Sequence, residues 1–337
     1  MNKVKKFVSE LRQDIVSGDW VVIASSRAKR PNDFIAQKRV PFIQLKSACP
    51  FERRFPDALI VYAKNNRDKE SDWWVQAVPN KYPAFDKGIC AVFNHVGPYV
   101  STNGAGAHEV VITRDHSRSL ALMTDAEAEL VVRMYQNRFR ILRDDSCVQY
   151  ISLFHNHGRL AGATIAHPHS QIIAIPVIPP DVASSLQGSE RYFKKEKTCV
   201  HCVMLRYDLK DKKRIIYEND RFVTLAPFAS RSAFEMRIFP KRHQARFEDM
   251  PQDLESDFAR ALRVSLAKLY HGLKNPDYNF FLHTAPVENS HSYEHYHWHL
   301  EILPKTAIWA GFEIGTGIEI STIAPEDAAE FLKKIKI

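Results

Sequence analysis

The chain lacks the long apolar runs that membrane insertion and secretion require. None of its 337 residues lies in an uninterrupted apolar stretch of about 18, the length that marks a spanning helix. The N-terminus, Met1-Asn2-Lys3-Val4-Lys5-Lys6, is charged but has no apolar segment behind it. These absences disfavour a signal peptide and a transmembrane span, so the sequence predicts a soluble, cytoplasmic protein with no membrane partner.

Cysteine is scarce and odd in number. The five cysteines are Cys49, Cys90, Cys147, Cys199 and Cys202. Such a count, in a chain of this size without a signal peptide, is typical of a reducing compartment and argues against a framework of disulfides.

The chain also has no long basic tract interleaved with aromatic residues, which a binder of single-stranded nucleic acid requires. Its net charge is +8 and its pI about 9.1. This charge suits small anionic partners such as nucleotides, although an ordinary basic protein explains it equally well. Nucleic acid is therefore disfavoured as a partner.

The most informative segment is His167-Pro168-His169-Ser170-Gln171. Side chains alternate between the two faces of a strand, so His167, His169 and Gln171 share a face. Pro168 removes a backbone donor, which predicts a position at the start of a strand or on a sheet edge. A neutral imidazole is a good nucleophile, and an uncharged amide can donate to a phosphoryl oxygen. The segment predicts attack by His169 on phosphorus, with Ser170 leaving room for the phosphate; two exposed polar histidines are the alternative.

A repeat runs through the chain. Residues 150–176 align without a gap with residues 278–304, so that Gln171 falls opposite His299. Three of the five identities are histidines, in a chain that has only 15. The paired identical residues are Tyr150 with Tyr278, His155 with His283, His167 with His295, His169 with His297, and Pro176 with Pro304.

Helices precede both copies of the repeat. Thr124 and Glu127 form a capping-box pattern before the first, and leucines at helical spacing follow Pro251 before the second. The sequence therefore predicts an α+β fold of two related halves, each an antiparallel sheet with packed helices. We expect an N-terminal domain at 1–180 and a C-terminal domain at 190–337, joined by a Pro- and Ser-containing connector at 178–196.

Two sets of residues have the composition of metal sites. Cys199-Val200-His201-Cys202, with His243 and a histidine from the later His-x-His strand, supplies the ligands of a tetrahedral zinc site; the repeat alone points to His295 as that histidine. A redox dithiol or exposed thiols are the alternatives. The first copy offers a second, mixed-ligand set, in which a carboxylate replaces one cysteine and Zn²⁺ should bind more weakly. This set contains Cys49, Glu52, His116 and His167.

Motifs along nearly the whole chain resemble those of the galactose-1-phosphate uridylyltransferase family, in the histidine triad superfamily. The fold implied is one of two histidine-triad-like halves. The motifs are Arg27-Ala28-Lys29-Arg30-Pro31, Cys49-Pro50, Val78-Pro79-Asn80-Lys81-Tyr82, Asp115-His116-Ser117, Phe154-His155-Asn156-His157-Gly158, His167-Pro168-His169-Ser170-Gln171 and Gly311-Phe312-Glu313.

The resemblance implies a role for each matching position. His169 would carry the nucleoside monophosphate as a covalent phosphoramidate, and Gln171 would contact its phosphoryl group. His297, rather than His295, would complete the zinc site. Phe312 and Glu313 would reach the sugar from the other subunit of a homodimer. The remaining substrate-facing residues would be Arg27, Arg30, Asn80, Asn156 and Thr164.

The implied activity is a nucleotidyltransferase of galactose metabolism, which moves a nucleoside monophosphate between a nucleotide sugar and a sugar-1-phosphate. Ala307-Ile308-Trp309-Ala310 departs from the galactose-specific pattern, while Cys199-x-x-Cys202 and the run 311–317 resemble the ADP-glucose phosphorylase branch. An ADP-sugar phosphorylase using inorganic phosphate is therefore the close alternative. A hydrolase of the same superfamily and a zinc-structured nucleic-acid-binding module are further alternatives.

Overall fold

The computed structural model describes residues 9–24, 42–64, 72–90, 92–287 and 292–337. Arg27 and Arg30 lie outside the described residues. No helix within these ranges is both long enough and apolar enough to cross a lipid bilayer.

Strands dominate the architecture. In chain order they are β1 Glu10–Gln13, β2 Trp20–Ile23, β3 Ile60–Ala63, β4 Trp73–Pro79, β5 Asn94–Val96, β6 Tyr99–Ser101, β7 Ala107–Thr113, β8 Tyr150–His157, β9 His169–Ile175, β10 Ile215–Glu218, β11 Phe222–Leu225, β12 Met236–Pro240, β13 Tyr278–His283, β14 His299–Pro304 and β15 Glu319–Ser321. Pro168 precedes the first residue of β9, as expected for a proline beside a strand with neighbours on both sides.

Helices alternate with the strands in both halves of the chain. They are α1 Asp125–Leu142, α2 Pro180–Glu196, α3 Val200–Asp211, α4 Glu255–Leu273, α5 Gly311–Thr316 and α6 Pro325–Lys334. The predicted capping box is present at α1: the Thr124 hydroxyl accepts from Glu127 N–H, and the Glu127 carboxylate accepts from Thr124 N–H.

Ten of the strands form one antiparallel sheet in the order β10-β11-β12-β14-β13-β8-β9-β7-β4-β3. The five strands of the first half occupy one side and the five of the second half the other, in mirrored order. The halves meet where β8 pairs with β13, with Asn156 opposite Asn279 and His155 opposite Phe280. The two halves therefore share a single sheet.

Helices α1 and α4 pack against each other and cover one face of this sheet. Their apolar stripes, which include Val131 and Met134 of α1 and Phe258 and Leu262 of α4, belong to one buried core that spans both halves. The α+β class predicted from the sequence is confirmed. The limits 1–180 and 190–337 stay a prediction.

The predicted connector at 178–196 is instead helix α2. Pro180 occupies its first turn, where proline needs no hydrogen-bonded N–H. Gly188 is buried, and a Cβ atom at this position would lie 1.7 Å from the Val16 carbonyl oxygen. The glycine thus permits a close helix–backbone contact, whereas the sequence suggested a linker.

A small sheet covers the end of the second half. Its order is β1-β2-β15, with β2 and β15 parallel. Strand β1 ends at Gln13, and the Asp14 carboxylate accepts Val16 N–H in the turn that follows. The other Asp14 carboxylate oxygen lies 3.3 Å from Arg237 and so links this sheet to β12.

One disulfide joins Cys90 and Cys147. The cysteine count argued against a framework of disulfides, and the structure has this single bridge. An odd cysteine count requires only that one cysteine stay unpaired, and it does not exclude a single bridge. Cys49, Cys199 and Cys202 remain thiols.

Candidate active site and metal centres

His169, the predicted nucleophile, is the first residue of β9 and is held in one tautomer. Its Nδ1–H donates to the His167 carbonyl oxygen at 2.8 Å. The Nε2 lone pair then has no hydrogen-bond donor among the described residues. Burial lowers the pKa of His169 below its ordinary value of 6.5, against a smaller opposing effect of the bond to His167. A neutral imidazole with Nε2 available is the nucleophilic form.

Gln171 lies two residues further along the same face of β9. Its Oε1 is 2.7 Å from Nε2 of His108, on the neighbouring strand β7. Asn80, at the end of β4, has its amide nitrogen 3.1 Å from the same His108 nitrogen. The structure thus brings together Gln171 and Asn80, both expected from the sequence, and adds His108.

Sequence reasoning missed His108. The available signal was the alternation of β7, in which His108, Val110 and Ile112 share a face. The adjacency of β7 and β9, which puts that face beside Gln171, is set by the tertiary fold.

The other predicted substrate residues are distributed unevenly. Asn156 of β8 lies on the site face, and its carbonyl oxygen accepts from Asn279 at 2.7 Å, which leaves its amide nitrogen to donate. Thr164 lies in the loop that precedes β9. Phe312 and Glu313 lie on α5, which contacts β15 and is exposed at Phe312. Within one chain, α5 therefore belongs to the small sheet.

Ser170 lies on the opposite face from His169, so the prediction that it gives room to the phosphate is wrong. Its hydroxyl is buried among the helices, 2.6 Å from the Tyr135 hydroxyl and 3.0 Å from Nδ1 of His155. His155 stacks on Phe280, and burial lowers the pKa of His155 well below the ordinary value. This buried network fixes α1 to the sheet behind the site.

The candidate C-terminal metal centre consists of Cys199, Cys202, His243 and His297, whose ligand atoms all lie within 4.8 Å of one another. His297 donates its Nε2–H to the Pro240 carbonyl at 3.0 Å, and its Nδ1 faces Cys202 Sγ at 3.6 Å. A carbonyl that holds the far nitrogen and turns the near one inward is the usual support of a metal-binding histidine. These donors suit a tetrahedral cation of the zinc type.

The repeat pointed to His295 and the family resemblance to His297; the structure groups His297 with the other three candidate ligands. Hydrogen bonding from Cys202 lowers the pKa of the Cys199 thiol and raises that of Cys202. One thiol of the pair therefore gives up its proton readily, as a metal ligand must.

The candidate N-terminal metal centre consists of Cys49, Glu52, His116 and His167, again within 4.8 Å of one another. His167 donates Nε2–H to the Thr113 carbonyl and turns Nδ1 towards Cys49 Sγ at 3.5 Å. The support matches that of His297. Burial raises the pKa of the Cys49 thiol, which makes it a poorer ligand than the thiol pair of the other centre.

The N-terminal centre adjoins the nucleophile. His116 places Nδ1 2.8 Å from the Glu52 carboxylate and Nε2 2.7 Å from the Gln44 carbonyl oxygen. Phe51, between the ligands Cys49 and Glu52, puts its ring edge-on to His169 at 5.1 Å between centroids. The loop that carries two candidate ligands therefore also bounds the imidazole of His169.

The ungapped repeat is two residues out of register at β14. His299 is the first residue of β14, as His169 is of β9, and its Nδ1–H donates to the His297 carbonyl at 3.1 Å. His167 thus corresponds to His297, and Gln171 corresponds to Glu301. The sequence had aligned Gln171 with His299.

Glu301 makes the second half unsuitable for a phosphoryl group. Although burial raises its pKa, Arg237 and Arg231 hold the pKa of Glu301 well below the ordinary value, so it is ionised. The carboxylate lies 3.0 Å from Arg237, 2.7 Å from Arg231 and 3.4 Å from Nε2 of His299. An ionised carboxylate only accepts hydrogen bonds, so Glu301 cannot donate to a phosphoryl oxygen as the Gln171 amide can.

A cavity of about 630 Å³ opens at this second position. Its wall contains His299, Glu301 and Arg237 and also Asp14 and Trp309, and it does not include His169. The size of this cavity therefore does not identify the reactive histidine, whereas the chemistry of the Gln171 and Glu301 positions separates the two halves.

Comparison with known proteins gives two family matches. Residues 2–179 match the model described as galactose-1-phosphate uridyl transferase, N-terminal domain. Residues 94–335 match one described as a domain of unknown function, DUF4921.

Individual relatives extend over the whole chain. This chain is 33% identical to ADP-glucose phosphorylase of Arabidopsis thaliana; the alignment covers 97% of this chain and 93% of that protein. The chain is 27% identical to galactose-1-phosphate uridylyltransferase of Thermotoga maritima; the alignment covers 97% of this chain and 99% of that protein. A crystal structure of an Arabidopsis thaliana ADP-glucose phosphorylase with bound ADP-glucose superposes with a TM-score of 0.79 at 31% identity, covering 98% and 100%.

We expect Ser170→Ala to destabilise the fold. The change leaves the Tyr135 hydroxyl and His155 Nδ1 buried without this partner, at a cost of about 1–3 kcal/mol in the free energy of unfolding. Urea unfolding measures it. Ser184→Ala, at an exposed serine of α2, is the control and should change stability by less than about 0.5 kcal/mol. Equal stability of the two variants would contradict the buried position of Ser170.

Proposed function

The chain belongs to the galactose-1-phosphate uridylyltransferase family, a family of nucleotidyltransferases, and from this premise we propose that it works through a nucleotidyl group carried on His169. The enzyme would move a nucleoside monophosphate between a nucleotide sugar and a sugar-1-phosphate. The observation that carries this proposal is the tautomer of His169: its Nδ1–H is committed to the His167 carbonyl, and Nε2 is left to attack.

The first displacement uses the residues of the site directly. His169 Nε2 forms a bond to the α-phosphorus of the nucleotide sugar, and the bond to the sugar-1-phosphate oxygen breaks, with the electron pair leaving on that oxygen. The imidazole ring gains positive charge. The hydrogen bond from Nδ1–H to the His167 carbonyl oxygen stabilises this charge. Gln171 donates its amide hydrogens to the phosphoryl oxygens. A second phosphate then attacks phosphorus, and Nε2 leaves in its neutral form.

Two choices of nucleobase and acceptor follow from the relatives. The uridylyltransferase reading takes uridine and a hexose-1-phosphate, and the family name supports it. The phosphorylase reading takes adenosine and inorganic phosphate, and the 33% identical Arabidopsis protein supports it.

The two metal centres are proposed to hold Zn²⁺ and to fix the loops around the site. The donors of the C-terminal centre, Cys199, Cys202, His243 and His297, are two thiols and two imidazoles. The N-terminal centre, with one thiol and the Glu52 carboxylate, would bind the ion more weakly. A bound ion would act structurally, since it would take up His167 and leave His169 to the substrate.

A homodimer would bring Phe312 and Glu313 to the site. In one chain, α5 contacts β15 and presents Phe312 and Ile314 to solvent, 49% and 75% exposed. Ile308, in the loop before α5, is 85% exposed. Such an apolar surface suits a second subunit, whose active site would receive α5. A cytoplasmic location and a role in galactose metabolism belong to the same proposal and rest on the sequence alone.

Incubation with UDP-glucose or ADP-glucose separately, followed by intact mass measurement, tests the covalent step. The protein should gain one uridylyl or one adenylyl group, and the preferred donor identifies the base. His169→Ala should gain none. His299→Asn is the matched control and should keep the adduct, because the second half has Glu301, an acceptor only, where the first half has the Gln171 amide.

Two results would oppose this mechanism. One is the absence of an adduct with either donor; the other is an adduct that persists in His169→Ala. Salt-dependent affinity for oligonucleotides without turnover would instead support the nucleic-acid-binding alternative.

The rate of adduct formation should decline in acid with a midpoint below pH 6.5. A lowered pKa keeps His169 neutral to lower pH than a free imidazole, so the nucleophile is lost only as the pH falls through that lowered pKa. Rapid-quench measurement of the first displacement follows this loss of rate. It needs no acceptor phosphate, whose own ionisation would change with pH. His299→Asn should give the same profile, and a midpoint above 6.5 would contradict the burial effect.

Metal analysis separates the two centres. Cys202→Ser should remove about one equivalent of zinc per chain and lower the melting temperature, because metal binding contributes to folding. Glu52→Ala should remove less, since its site starts weaker. Cys90→Ser, outside both centres, should leave the zinc content unchanged. Undiminished zinc in Cys202→Ser would remove the C-terminal centre from the proposal.

A further inference from the structure

We propose that His108 is a positioning residue that fixes which end of the Gln171 amide faces the reacting phosphoryl group. The inference rests on the proposed function of His169. It begins from one juxtaposition: His108 of β7 stands between a backbone N–H on one side of its ring and Gln171 of β9 on the other.

The backbone sets the tautomer of His108. Ala84 N–H donates to Nδ1 of this ring at 3.1 Å, so Nδ1 must present its lone pair. In the neutral ring, the hydrogen then resides on Nε2. That nitrogen lies 2.7 Å from Oε1 of Gln171, which accepts the hydrogen.

Asn80 does not compete for this hydrogen. Its Oδ1 accepts Tyr82 N–H at 2.9 Å, so the group it turns towards His108 is its amide nitrogen, at 3.1 Å. An amide nitrogen is a donor and cannot accept from Nε2–H. Gln171 is therefore the acceptor of the His108 hydrogen among these groups.

This chain of bonds decides the orientation of Gln171. An amide has an oxygen that repels a phosphoryl oxygen and an NH₂ group that attracts it. If Gln171 turned over, its NH₂ would join that of Asn80 in facing Nε2–H of His108, and this hydrogen would have no acceptor among these groups. His108 therefore keeps the oxygen on its own side and leaves the NH₂ group to stabilise the charge that develops on phosphorus.

The alternative is a purely structural role, in which His108 only anchors Ala84 N–H. Two substitutions distinguish this role from the orientation of Gln171. His108→Asn keeps a side-chain oxygen near the Nδ1 position for Ala84 N–H but has no group at the Nε2 position. His108→Gln places an amide N–H near the Nε2 position but loses the acceptor for Ala84. If His108 acts by orienting Gln171, His108→Gln should react faster than His108→Asn. If His108 acts only by anchoring Ala84, His108→Asn should react faster.

The experiment measures the single-turnover rate of adduct formation, the KM for the nucleotide sugar and the melting temperature in the full-length protein. His108→Asn should lower the rate about 10- to 100-fold, less than or equal to the loss of one oxyanion donor, with KM changed less than about 3-fold. His108→Gln should recover most of the rate. In a Gln171→Ala background, His108→Asn should add no further loss, because the two residues act as a unit.

Equal rates in His108→Asn and the wild type would overturn the inference, as would a slower His108→Gln than His108→Asn. If wild-type protein forms no adduct, the proposed function itself fails, which is a distinct result. A measurement on the wild type needs no stable variant at all: ¹⁵N spectra of the imidazoles should show His108 protonated on Nε2. Protonation on Nδ1 would overturn the inference directly.

Discussion

The antiparallel pairing of β8 with β13 is the contact on which the arrangement of this molecule depends. It joins the two five-strand halves edge to edge, with Asn156 opposite Asn279. Because β8 and β13 are each followed across the sheet by a His-x-His strand, β9 and β14 come to lie one strand from the centre. The same pairing lets α1 and α4 bury a common core on the other face. An isolated half would expose β8 or β13 as an unpaired edge, which favours aggregation.

Two halves of the same design have acquired different chemistry at one position. Both start their strand with a histidine whose Nδ1–H is bound to a backbone carbonyl two residues earlier. Both have a candidate metal centre beside that strand. The difference lies two residues further on, where Gln171 can donate to an anion and Glu301 is an ionised acceptor neutralised by Arg231 and Arg237. In the second half, the charges that could have faced a substrate instead tie β12 and β14 to the N-terminal turn at Asp14.

Local patterns predicted much of this correctly, and tertiary contacts account for what they missed. The Thr124 capping box and the alternation of β9 depend on residues within a few positions of one another. The register of β14 cannot be predicted from such local patterns. An ungapped alignment does not detect a shift of two residues, because that shift preserves the alternation of faces. Gly188 and Ser170 were misread for a related reason: each is explained by a partner distant in the chain, Val16 and Tyr135 respectively.

On the proposed mechanism, the carboxylate at Glu301 also limits how many nucleotidyl groups one chain can carry. If only the half with Gln171 can carry the group, each polypeptide stores a single nucleotidyl equivalent despite having two His-x-His strands. A pre-steady-state burst can then never exceed the number of chains, and active-site titration counts molecules rather than halves. On the proposed mechanism, the internal duplication gives one site of turnover and one set of ion pairs, which joins β12 and β14 to the N-terminal turn.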